Sequence, residues 1–101
     1  MSIFLRIVEK RRLTVLAKGV MINLEKYLKL EQFITENPAW ARVHEVQIRD
    51  NMKEARDMRN DLLSDDKLPY TDQYKRARMQ ILEQVSIMTD RIEEALNKAT
   101  N

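Results

Sequence analysis

The sequence predicts an all-α fold, an elongated three-helix up-down-up bundle, and three observations predict it. Strand and turn residues are scarce, with two Pro and one Gly in 101 residues. Apolar residues recur at three- and four-residue steps along most of the chain, the period of a helix with one buried face. Two short stretches break that period, Asn37-Pro38 and residues 64–69, and each suits a reversal between helices. The length and the absence of a further break predict a single helical domain over 1–101.

The first helix is expected over about 2–36, with Ser2 as a possible N-cap. It holds 18 apolar residues between Ile3 and Ile34, more than one stripe accommodates. At about 100° per residue, Leu13, Leu16, Val20, Leu24, Tyr27 and Ile34 share one face, with Leu28 and Leu30 at its margins. That face should meet the core. Phe4, Val8, Val15, Ile22 and Phe33 fall on nearly the opposite face, with Gly19 beside them. Helix 1 therefore carries two apolar faces, and its first two turns should project beyond the end of helix 2.

Helix 2 is expected over about 38–63, because Asn at the N-cap and Pro at the first helical position are both favoured. Its apolar side is Trp40, Ala41, His44, Val46, Ile48, Met52, Ala55, Met58 and Leu62. Arg42, Arg49, Lys53 and Arg56 form one flank and Asp50, Glu54, Asp57 and Asp61 the next. Such segregated charge reads as a solvated surface. Asp65 and Asp66 would oppose the dipole at the C-terminus of this helix, so they are expected beyond it. Helix 3 is expected over about 70–99. Its seam is Tyr74, Arg78, Ile81, Val85, Met88, Ile92, Ala95 and Ala99, alternating four- and three-residue steps in the manner of a coiled coil.

Composition excludes several functions. There is no Cys, hence no thiol chemistry or disulfide framework. The single His44 has no companion for a metal site, and no metal or other cofactor is expected. One Gly cannot build a phosphate loop. No apolar run reaches the ~18 residues of a membrane span. The apolar cluster Ile3, Phe4, Leu5, Ile7 and Val8 precedes Lys10, Arg11 and Arg12, the reverse of a secretory signal, so a cytoplasmic protein is expected.

Three functional readings follow. The first is a small non-catalytic protein-binding module (an adaptor, inhibitor, chaperone or assembly subunit) that uses the second face of helix 1. Its binding residues would be Phe4, Ile7, Val8, Val15, Gly19 and Ile22, and its partner another protein or a second copy dimerising through helix 1. The second is nucleic-acid binding through Lys10, Arg11, Arg12 and Lys18, although these point in different directions on a helix and lack an aromatic platform.

The third is enzymatic. Asp50-Asn51-Met52-Lys53-Glu54 resembles the Asp-x-x-Arg-Glu pattern on the second helix of the helical chorismate mutases, with Lys53 in place of Arg. Ser86 and Asp90 are similar to that family's Ser with Gln four residues on. Lys18 and Lys29 stand where the family places a basic pair on a long first helix. The resemblance implies a three-helix intertwined dimer acting on a dicarboxylate. Asp90 in place of Gln would repel such a substrate, and the stretch between Lys29 and helix 2 is longer than the family's.

Overall fold

The computed structural model describes residues 3–64 and 70–101; Ser2, Asp65 and Asp66 lie outside them. Among the described residues the chain is all-α. Helix α1 spans Ile3–Glu36, α2 Pro38–Val43, α3 Glu45–Leu63 and α4 Asp72–Thr100. They form a rod of 55 × 20 × 16 Å. α4 is the middle of it: α1 packs along one side and α3, with α2, along the other, while α1 and α3 hardly meet.

That central place explains the burial on α4. The seam read from the sequence is inside or half-inside throughout, from Tyr74 to Ala99. A second seam, Leu82, Thr89 and Leu96 at seven-residue intervals, is at least as deeply buried. A helix flanked on two sides needs two seams, and Thr89 can sit there because its hydroxyl donates to Ser86 O at 3.0 Å. The densest part of the core joins Ile34, Ala41, Ile48, Met52, Ile92, Leu96 and Ala99 at the α1–α2 hairpin end, with Tyr27 and Leu30 against it.

The helix expected over 38–63 is interrupted at His44, whose φ of −103° and ψ of 15° leave the helical region. The short α2 is tied to its surroundings. Arg42 Nη1 donates to Ala99 O at the end of α4 (2.9 Å), and Trp40 is edge-on to Phe33 and tilted over His44. These tethers hold α2 while α3 turns to run along α4. Asn37 precedes Pro38 as expected, but its side chain makes no N-cap bond. Its Nδ2 instead donates back to Phe33 O (3.1 Å), sealing the end of α1.

The basic flank of helix 2 is only in part the solvated surface expected from its pattern: Lys53 is exposed, while the three arginines turn to α4. Arg42, Arg49 and Arg56 all reach α4: Arg49 bonds Asn97 Oδ1 (2.9 Å) as well as Glu45, and Arg56 bonds Glu93 (2.7 Å) and Asp90 (3.2 Å). Their long stems cover apolar surface while the guanidinium groups pair at the helix boundary. The hydrogen bond to Glu93 pushes Arg56 above its usual pKa, and the same bond holds the Glu93 carboxyl below the ordinary range. The acidic flank, Asp50, Glu54, Asp57 and Asp61, stays in solvent.

At the other end of the rod, α1 is pinned by a buried carboxylate. Glu9 Oε2 accepts from Thr71 Oγ1 (2.8 Å) and Thr71 N (3.2 Å), while Thr71 Oγ1 caps α4 by accepting from Tyr74 N. The Arg78 guanidinium lies over the Tyr70 and Tyr74 rings, and burial together with its neighbour Tyr70 pushes the Tyr74 phenol up. The six residues of α1 ahead of Glu9 overhang this junction, as its length predicted.

Candidate functional site

Because α1 and α3 diverge from opposite sides of α4, a groove of about 570 Å³ opens between them. Its floor is Leu82 and Val85 of α4. One wall is the α1 series Val15, Leu16, Gly19, Val20, Asn23 and Tyr27; the other is the α3 series Asn51, Glu54, Ala55, Met58, Arg59 and Leu62. Both series recur at single residues or adjacent pairs about one turn apart, so each wall is one continuous helix face. Burial against the groove wall pushes the Tyr27 phenol up. Arg59 Nη2 bonds Asn60, while its Nε is shut off from solvent and meets no acceptor among the described residues.

The groove runs out onto exposed apolar surface. Val15 is 72% exposed and Met58 61%. On α1 the apolar stripe continues past the groove's lip through Ile22, half-exposed, and Phe33; Phe4, Val15, Ile22 and Phe33 lie within about 20° of one another around the helix. The second face of α1 is thus left uncovered by α3 and α4. Of the residues expected to bind a partner, Val15 and Gly19 line the groove and Ile22 stands beside them. Phe4 and Ile7 are exposed and Val8 half-buried on the overhang, about two to three turns away. The expected set therefore divides into two places.

Gly19 lines the groove on the α1 wall. It is helical, exposed, and a Cβ added there would meet nothing within 4 Å. The chain's own packing gives it no reason to be Gly.

The two lips of the groove carry opposite charge. On α1, Arg11, Lys18, Lys26 and Lys29, with Glu25 among them, surround the Val15–Ile22 stripe; on α3, Asp50, Glu54, Asp57 and Asp61 lie outside Met58 and Leu62, with Lys53 beyond them. All ten are exposed, and none is ion-paired among the described residues. The acidic lip is the flank read from the sequence pattern; the packing of α1 and α3 on α4 sets it across a groove from basic residues. Arg49 and Arg56 turn away from it onto α4, while Lys53 stays exposed.

The other candidate residues do not converge. Lys10 and Arg11 point to different sides of α1, and the Arg12 guanidinium sits 5.6 Å from the Tyr70 ring centre. Lys18 is two turns further along. For the mutase-like pattern, Met52 is buried in the core while Lys53 and Glu54 are exposed, and Asp90 pairs with Arg56. Lys18 and Lys29 face outward on α1 rather than toward Glu54 across a closed pocket. Among the described residues no three His, Asp or Glu side chains come together as a metal site would need, and no helix is long and apolar enough to cross a membrane. No family model, curated protein or solved structure matches the chain.

Proposed function

We propose that the chain is a protein-binding module of a cytoplasmic assembly, whose α1–α3 groove takes up a helical protein surface. One observation carries this reading: the apolar groove that the diverging helices leave open, floored by Leu82 and Val85 and continuous with the exposed Val15–Ile22 stripe. Grooves of this kind accept a helix through residues at i, i+3, i+4 and i+7 spacing. Large exposed apolar patches with charged borders mark interaction sites on soluble proteins. Gly19 supports the same reading, since a Gly costs a helix interior about 1 kcal/mol against Ala and here permits close backbone approach from outside.

The test is a photo-crosslinking residue placed at Met58 of the full chain, expressed in the source cells. Protein adducts are expected, lost when Val15→Asp is added while circular dichroism shows an intact helical fold. Adducts to nucleic acid alone, with salt-dependent retention on heparin that neutralising Arg11 and Arg12 abolishes, would replace this reading by the nucleic-acid one. Consumption of chorismate that Glu54→Gln abolishes would replace it by the enzymatic one.

A further inference from the structure

From the charge on the two lips we infer that the groove's occupant is a second copy of this chain, docked face to face about a twofold axis parallel to the helices, so that α1 of each copy lies over α3 of the other. This rests on the groove being a protein-binding surface and adds what fills it and in which orientation.

The surface left by a single copy is too large for its mass. The chain exposes 7355 Å², whereas a compact monomer of 12.1 kDa exposes about 6,000 Å² by the usual mass scaling. The surplus of roughly 1,300 Å² exceeds the ~800 Å² that each partner of a standard interface buries. The radius of gyration, 16.5 Å, likewise exceeds the ~13 Å expected for a compact chain of this length. The excess goes with the rod shape, 55 × 20 × 16 Å, and leaves room along its side for one interface of standard size.

The charge pattern then selects the arrangement. A twofold interface brings the same patch of both copies together, so the patch must be self-complementary. Two orientations put groove over groove. With the axis perpendicular to the helices, α1 lies on α1 of the second copy, and Arg11, Lys18, Lys26 and Lys29 meet their own images. Like charge brought together in that way disfavours the pairing. With the axis parallel to the helices, the basic lip lies over the acidic lip, twice by symmetry.

Register supports the second orientation. The hairpin runs α1 and α3 antiparallel, and counting both ways from Asn37 at about 1.5 Å per residue puts Lys18 within one turn of Asp57 in height, and Lys26 within one turn of Asp50. A twofold parallel to the helices preserves height, so Lys18 of one copy reaches Asp57 of the other, and Lys26 reaches Asp50. Beside the Lys18 pair, Val15 lies level with Met58 and covers that end of the Met58–Leu62 ridge. Met58, long and unbranched, can fold into whatever groove space remains.

The experiment is sedimentation equilibrium of the full chain. Wild type should run at twice the chain mass. Lys18→Glu/Lys26→Glu on α1, and separately Asp50→Lys/Asp57→Lys on α3, should each raise the dissociation constant more than about tenfold. All four positions are exposed, and circular dichroism verifies that each variant stays folded. Mixing the two variants one to one should restore the double mass, because every α1–α3 contact in the mixed dimer is again between opposite charges. Carrying all four changes on one chain should restore it too.

Three results would overturn the inference: a wild type monomeric to millimolar concentration, a dimer indifferent to both reversals, or an α1 reversal that tightens association, which would indicate α1 on α1. A monomeric wild type whose Met58 crosslinks to a different protein would overturn self-pairing and leave the protein-binding reading standing. A monomer with no protein adduct would remove both.

Discussion

Gly19→Ala separates what α1 needs for folding from what it offers to a second chain. The residue sits in the middle of a 34-residue helix with helical backbone, and an added Cβ meets nothing within 4 Å. No steric term therefore opposes the change within one chain. What remains is intrinsic propensity, which favours Ala over Gly by about 0.8–1.0 kcal/mol in a helix interior, partly through the unfolded chain's lost freedom. For a domain of this length that raises Tm by about 4–8 °C. The assay is thermal and urea unfolding followed by circular dichroism, at a concentration where sedimentation shows monomer, since association would add its own stability. The urea midpoint should rise with an unchanged slope. An Ala variant that is less stable as a monomer would refute the reasoning, because something in the same chain would then have to occupy the space beside Gly19. Gly19→Trp extends the logic: monomer stability close to that of the Ala variant, but weakened association, as a bulky ring blocks the approach.

Further outcomes follow from the core and its tethers. Leu96→Ala, at a site with no solvent exposure, should cost about 2–5 kcal/mol in urea unfolding, whereas Val46→Ala, 73% exposed, should stay within about 0.5 kcal/mol. Thr71→Val removes both the cap of α4 and the hydroxyl that Glu9 accepts from. It should cost about 1–2 kcal/mol and speed amide exchange in the first three turns of α1 more than in α3. Glu93→Gln should cost up to about 1 kcal/mol at neutral pH, because the pair is partly exposed. The Glu93 carboxyl is held below its ordinary range by Arg56, so its contribution is complete above the unfolded carboxylate pKa and fades as pH falls through the lower folded value. Wild type and variant should therefore converge in stability in acid, which urea midpoints across pH would show.

Local patterns carried far in this chain because helical period is a local property. The bounds of α1 and α4, the reversal at Asn37-Pro38, the Tyr74–Ala99 seam and the two-faced character of α1 all follow from which residues recur every three or four positions. The exposed Val15 and Ile22 were legible for the same reason: they lie opposite Val20 and Ile34, which had to face inward. Phe4 and Ile7 were legible as overhang from helix lengths alone. The break at His44 was not, since it arises from contacts that Arg42 and Trp40 make with α4 and α1.

What the sequence by itself determined is the set of helices and their apolar faces, because side-chain spacing fixes direction around a single helix. The tertiary structure decided which helix stands in the middle. With α4 there, Leu82, Thr89 and Leu96 become core, Arg49 and Arg56 turn inward to pair with it, and α1 and α3 are left apart. The groove, and the opposite charge on its two lips, follow from that choice. Periodicity encodes the acidic flank but neither the groove nor what stands across it, because those depend on distances between helices, and only the packing sets those distances.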